Sequence, residues 1–282
     1  MKRIAILTII GLVSMITLAG SYIDTSEENW TYGNMHQWRA HLAYSVIDEV
    51  AVTDNKIFAL SNHSLFSIDK QSEEIEYYSR LTGLNSAVID HLYYNPLLNY
   101  LLLCYQNGQL DIIDAKDDVH NISDLYLKQS NISKRINDIQ IHQTKAFMAM
   151  DFGVICLDMK KMEVEDTYYI GEQSEEVQVN YLTIFGDSLY AASHQYLYSA
   201  HLNDNLMDYA HWRTSPLPGG NALQGMCAHE GSICVIRDSV LWSRQETGWK
   251  KHESTYALRG FCQTDHNLFA LINNHYGTLE VQ

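Results

Sequence analysis

Residues Asn55–Lys70 read NKIFALSNHSLFSIDK: an apolar run, a two-residue polar turn, an alternating run and a closing Asp. That is the pattern of a short β-hairpin. Near copies recur as TKAFMAMDFGVICLDMK (Thr144–Lys160) and DSLYAASHQYLYSAHL (Asp187–Leu202), with looser ones from Asn99, Gly231 and Asn267. The first apolar residues after the turns are Leu65, Leu110, Val154, Leu197, Val240 and Leu279, at successive spacings of 45, 44, 43, 43 and 39 residues. Short strands repeating every ~40–45 residues indicate a β-propeller with one four-stranded blade per repeat.

Working outward, each hairpin is preceded by an inner strand: VIDEVAV (Val46–Val52), VIDHLYY (Val88–Tyr94), INDIQIH (Ile136–His142), VNYLTIF (Val179–Phe185), LQGMCAH (Leu223–His229) and LRGFCQT (Leu258–Thr264). An outer strand follows, as in EEIEYYS (Glu73–Ser79) or VEDTYYI (Val164–Ile170). The reading is all-β: a propeller domain over residues 38–282, with five complete blades and a sixth cut short after LEVQ. Ring closure stabilises a propeller by covering inter-blade faces and strand edges. The expectation is therefore an incomplete seven-bladed ring, with Trp30–Tyr44 as the alternative source of the sixth outer strand.

Met1–Gly20 carries Lys2 and Arg3, an apolar run from Ile4 to Ala19, and small residues at a cut near Ala19–Ser21, the layout of a secretory signal peptide. The run is short for a membrane span, which takes about 20 residues, and no Cys follows it to form a lipobox. Residues 21–37 read as a polar lead-in without period. The formal charge is −15, and loss of Lys2 and Arg3 with the leader makes it −17, from 17 basic against 34 acidic residues. Such a field repels phosphate backbones and argues against nucleic acid as a partner. The 19 Tyr suit pleated, half-buried surfaces, and 3 Pro suit a chain of strands. Five cysteines (Cys104, Cys156, Cys227, Cys234, Cys262) without a CxxC form neither a disulfide framework nor a zinc site. Cys227 and Cys234 flank one hairpin, so a single disulfide between them stays open beside the reading as buried thiols.

Each inner strand carries a polar residue shortly before a core position: Asp48, Asp90, Asn137, Asn180, Gln224 and Arg259. As a ring near one channel mouth they would offer hard oxygen ligands to an ion or polar ligand. The plainer reading, favoured by repetition in every blade, is that each hydrogen-bonds within the framework. The hairpin turns Asn62–His63, Asn107–Gly108, Phe152–Gly153, His194–Gln195, Asp238–Ser239 and Asn274–His275 suit left-handed turn geometry, and His63, His194 and His275 sit too far apart to share a metal. Sequons stand at Asn62, Asn121 and Asn131. Trp30, Trp38, Trp212 and Trp249 fall outside the inner strands, as exposed platforms or as covers for blade edges. No GxSxG, HExxH, Walker loop or dinucleotide fingerprint is present, so the expectation is a non-enzyme without cofactor or metal. Paired carboxylates assembled from distant blades would leave no local motif.

Longer strings carry a resemblance. WRAHLAYSVIDEVAVTDNKIFALSNHSLFSIDK (Trp38–Lys70), GLNSAVIDHLYYNP (Gly83–Pro96), NGQLDIID (Asn107–Asp114), NISDL (Asn121–Leu125), INDI (Ile136–Ile139) and FGVICLDMKKMEVEDTYYIG (Phe152–Gly171) resemble the first propeller of the PorZ family of the Bacteroidetes type IX secretion system. The two-component-regulator propellers share the GLNS linker and the period but not these strings, and neither a WD dipeptide nor a kelch double glycine appears. The resemblance implies a non-enzymatic protein exported to the periplasm or outer-membrane surface. Family members carry a second propeller and a C-terminal sorting domain, and work with the cargo-attachment machinery and its anionic lipopolysaccharide. The implied partner is a protein of that machinery or the glycolipid. A periplasmic sensor propeller reading polysaccharide and a polysaccharide-active enzyme are the alternatives.

Overall fold

The computed structural model describes residues 46–86, 88–127, 133–254, 256–263, 268–273 and 279–281. The expected signal peptide (1–20), lead-in (21–37), Trp30, Trp38, the Trp30–Tyr44 strand, Asn131 and the Asn274–His275 turn lie outside them. The chain divides into two compact units, the first ending at Tyr78 and the second beginning at Ser79.

The first unit holds blade 1, β1 (Glu49–Val52), β2 (Lys56–Ser61), β3 (Ser64–Asp69) and β4 (Ile75–Tyr77), paired in that order. The second unit holds blade 2, β5 (Ile89–Asn95) to β8 (Val119–Ile122), and blade 3, β9 (Ile136–His142), β10 (Lys145–Met150), β11 (Gly153–Asp158) and β12 (Glu163–Tyr168). Blade 4 follows as β13 (Tyr181–Phe185), β14 (Ser188–Ala192), β15 (Tyr196–His201) and β16 (Arg213–Pro216). Blade 5 is β17 (Leu223–His229), β18 (Ser232–Arg237), β19 (Val240–Gln245) and β20 (Gly248–His252); blade 6 shows three strands, β21 (Ala257–Gln263), β22 (Leu268–Asn273) and β23 (Leu279–Val281). All pairings are antiparallel meanders, and the molecule is a β-propeller of four-stranded blades. The inner strands start one to three residues later than VIDEVAV, VIDHLYY and VNYLTIF suggest.

The middle strands explain the run-on apolar segments. A strand covered on both faces loses its period-2 signature, and every residue of β11 is buried, as are five of the six of β10. One core joins Leu102, Leu110 and Ile112 of blade 2 to Ile139, Met148 and Leu157 of blade 3. A second joins Phe147, Val154 and Cys156 of blade 3 to Leu182, Leu189 and Trp212 of blade 4. A third joins Leu197 of blade 4 to Met226 and Val235 of blade 5. Stability in this unit is thus a chain of nearest-neighbour interfaces, as repeat proteins show.

Two of the resembling strings make close approaches. A Cβ on Gly153 would lie 2.2 Å from the Tyr168 carbonyl oxygen, and its φ is +151°, so the FGVICLD and DTYYIG backbones approach this closely only with glycine at 153. Asp111, wholly buried in β7 (Leu110–Ile113), accepts from the Asn85 N–H at 2.7 Å, the Tyr105 hydroxyl at 2.5 Å and Asn121 Nδ2 at 2.7 Å. The GLNS linker and NGQLDIID are therefore held by one carboxylate, and burial beside that carboxylate pushes the Tyr105 phenol well above its usual range.

Candidate functional site

The six polar residues share a backbone device. In β5 the register steps from Ile89↔Tyr105 to His91↔Cys104, so Asp90 is the extra residue of a β-bulge. The same step leaves Asn137, Gln224 and Arg259 unpaired in β9, β17 and β21. In blades 1 and 4 the N–H groups of Asp48 and Asn180 each donate at 2.8 Å to the carbonyl whose residue pairs with their successor, Leu60 and Ala192. A bulge re-aims one side chain.

Four of these side chains meet the hairpin turn of their own blade. Asp48 Oδ2 accepts from the Asn62 N–H at 2.9 Å, and Asp90 Oδ1 from Gln106 Nε2 at 3.3 Å. Asn137 Nδ2 donates to Asp151 Oδ1 at 2.9 Å and also crosses to the Val179 carbonyl of the next blade at 2.8 Å. Gln224 Oε1 accepts from the Ser239 N–H. Asn180 is half-buried and Arg259 exposed on β21. These residues thus tie inner strands to turns, with each of those four side chains engaged within its own framework.

The residue after the bulge was not singled out by the sequence, yet it carries the titratable chemistry. It is His91, Asp138 and Tyr181 on three consecutive inner strands, then Gly225 and Gly260. Asp138 accepts from the Leu182 N–H of blade 4 at 2.7 Å and from the Ile139 N–H at 2.9 Å. Burial pushes its carboxyl up to about 7, against the pull of those two N–H groups and of nearby His91. Burial and the Asp138 charge likewise raise the Tyr181 phenol. The signal that could have found Asp138 is the pair of polar residues in INDI, where most other blades have one.

The turns follow their residue types in part. Asn62–His63 (φ 47° and 64°) and Asp238–Ser239 (48° and 65°) are left-handed at both positions, and Gly108 takes φ +83°. His194–Gln195 is not left-handed; there the Ser193 hydroxyl accepts from the Tyr196 N–H at 3.0 Å and closes the turn. Among the described residues no three His, Cys, Asp or Glu side chains gather to hold a metal ion. Cys227 lies directly opposite Cys234 in the ladder, and both are buried free thiols, as are Cys104 and Cys156. Trp212 is buried rather than exposed, its Nε1–H donating to the Leu206 carbonyl at 3.0 Å. Half-buried Trp249 donates to the Pro216 carbonyl at 3.0 Å. Both cover blade edges. No helix among the described residues is long and apolar enough to cross a membrane.

Comparison with known proteins places this geometry. The family model described as TSS9, PorZ, N-terminal β-propeller domain matches residues 57–213. The structure of PorZ, a surface component of the type IX secretion system of Porphyromonas gingivalis, is similar with a TM-score of 0.68 at 23% identity, over 83% of this chain and 32% of that one. The extracellular domain of BT3049 from B. thetaiotaomicron, assigned as a hybrid two-component system, gives 0.62 at 13% identity over 85% and 35% of the two chains. That of BT4673, assigned as a one-component system, gives 0.58 at 11% over 86% and 33%. The chain thus spans about a third of the length of these structures. No curated protein matches it. With more than half of its residues inside the family model, buried strings included, the chain belongs to the PorZ N-terminal β-propeller family.

Proposed function

We propose that the chain is a non-catalytic binding propeller of type IX secretion, exported to the periplasm or outer-membrane surface. It presents a rigid face to a protein of the cargo-attachment machinery or to anionic lipopolysaccharide. The observation that carries this reading is the family match over residues 57–213, which spans the Gly153–Tyr168 approach and the Asp111 clamp. Bulge side chains used to tie strands to turns suit a rigid presenter. The test is deletion of the chain in its own host, followed by counting type IX cargo on the cell surface. Loss of surface cargo with unchanged cargo synthesis is expected, and normal attachment would refute the role.

A second reading, a sensor propeller for polysaccharide fragments, is supported by the likeness to the extracellular domains of BT3049 and BT4673. Transcriptional response to a glycan, lost on deletion while cargo attachment continues, would favour it. As a non-enzyme, the purified chain is expected to release no reducing ends from any glycan it binds.

A further inference from the structure

In repeat proteins insertions in single repeats map to loops that are often on the binding face, and among the described residues the longest connection between a third and an outer strand belongs to blade 4. In blades 1 to 3 the third strand leads into an Asp whose carboxylate accepts N–H groups of the following turn. Asp69 takes Ser72 at 2.8 Å, Asp114 takes Lys116 at 2.8 Å, and Asp158 takes Lys160 at 3.0 Å. Asp69 and Asp158 pair across the ladder with Lys56 and Lys145. Blade 4 replaces this acid and base with His201 and Ser188. One row inward, Ser67 faces Glu76 and Cys156 faces Asp166, whereas Ser199 faces Arg213. Relative to blades 1 and 3, then, blade 4 exchanges a carboxylate for a cationic or cation-forming side chain at two positions; at the second, blades 2 and 5 also carry a base, His120 and Lys250.

The connection to its outer strand differs as well. It runs over residues 202–212, eleven residues, against five (70–74) in blade 1, four (159–162) in blade 3 and two (246–247) in blade 5. The loop is a built structure: Trp212 anchors it, and Asp208 caps the Ala210 N–H at 3.0 Å. Between it and β19 lies a cleft of about 470 Å³ lined by Tyr190, Ser199, His201, His211, Arg213 and Arg244. That volume falls in the range of about 300–1,000 Å³ of small-molecule sites, but the walls are polar. Ser188 lines the cleft beside Ser199, while the Ser215 hydroxyl donates to the Leu197 carbonyl at 3.4 Å. Asp204, the lining carboxylate, lies 3.5 Å from His211 Nδ1, with Asp208 3.9 Å from Nε2.

Two guanidinium groups line this cleft together, and it is their convergence that marks it, since Arg80, Arg135 and Arg237 also lack an ion pair among the described residues. The chain has 34 acidic residues to 19 basic ones, yet neither Arg213 nor Arg244 has a carboxylate partner among the described residues. Arg244 instead lies over the Tyr190 ring, 5.9 Å from its centroid. Guanidinium groups engage carboxylate and phosphate bidentately, and the Ser188 and Ser199 hydroxyls can pair with those of a sugar ring.

We propose that the blade 4 cleft binds one sugar residue bearing an oxyanion, carboxylate or phosphate, with Arg213 and Arg244 on the anion and the Ser188 and Ser199 hydroxyls on the ring. This deepens the glycolipid arm of the function proposed above and rests on that reading only for the source of the sugar. The test is calorimetric titration of the purified chain at low salt with galacturonate, glucose 6-phosphate, glucose and inorganic phosphate. At least one acidic sugar is expected to bind, which one identifying the anion, with glucose and inorganic phosphate about tenfold weaker or more. Arg213→Gln and Arg244→Gln are each expected to lower that affinity about tenfold or more, a loss of about 1.4 kcal/mol. Lys160→Gln on blade 3 should leave it unchanged, and unfolding midpoints equal to the parent chain's show that the variants fold. Binding of neither acidic sugar, parental affinity in both Arg variants, or inorganic phosphate binding as tightly as the sugar would overturn the proposal. If the chain binds no sugar while its deletion still strips cargo from the surface, this site falls and the secretion role stands. The converse result separates them the other way.

Discussion

Blades 3 and 4 share a strand plan and differ in what their faces meet. Blade 3 is apolar through both middle strands, and it packs on blade 2 through Met148 and Leu157 and on blade 4 through Phe147 and Cys156. Its loops are short and its Asp158 closes a turn. Blade 4 keeps the apolar face toward blade 3 but turns Tyr190, Ser199 and Arg213, a cross-strand row, to an open cleft. Both repeats are framework on both faces, blade 4 meeting blade 5 through Leu197, Met226 and Val235, and the difference is the polar row that blade 4 adds beside that core.

That contrast can be broken by mutation. The largest effect is expected from Leu157→Ala, a wholly buried side chain whose loss should cost about 2–5 kcal/mol in urea unfolding. Gly153→Ala comes next, at about 1–3 kcal/mol, since the added Cβ meets the Tyr168 carbonyl at a left-handed φ. Asn137→Ala removes hydrogen bonds to Asp151 and to Val179 of blade 4 and is expected to cost about 1–2 kcal/mol. On blade 4, Ser199→Ala should stay within about 0.5 kcal/mol. If Ser199→Ala cost as much as Leu157→Ala, the two blades would not differ as described.

A pH experiment sharpens the same seam. Asp138 holds its proton to about pH 7 in the folded chain, against about 3.9 in an unfolded one. Between those values the unfolded state binds fewer protons, so stability falls as pH rises from about 4 to about 7 and levels beyond. Asp138→Asn keeps an oxygen to accept from the Leu182 N–H and removes the titration. Urea midpoints at pH 5 and pH 8 should therefore lie closer together in the variant than in the parent chain; an unchanged gap would show that Asp138 does not govern it.

Much of the fold was legible in the residues. The hairpin copies gave the blades, and the inner strands INDIQIH and LQGMCAH match β9 and β17 end to end. The polar positions from Asp48 to Arg259 were visible as a repeat, but not the bulge that makes them repeat, because a bulge shows only when two strands are paired. Trp212 could be read from the sequence as an exposed platform or as a blade-edge cover; its burial depends on Leu206 and on the blade 3 core, contacts that no local pattern announces. His201 and Arg213 drew no notice, since each is ordinary alone and informative only when superposed on Asp158 and Asp166 of the blade before.

By itself, the sequence determined the number of strand pairs, their spacing and their order, because alternation and turn chemistry act over a few residues. Only the tertiary structure decided which side chains share a site. Asp138 reaches Leu182, and Arg244 reaches Tyr190, across one whole repeat. Such contacts are fixed by how blade packs on blade, and packing is a property of surfaces that exist only after the strands have paired.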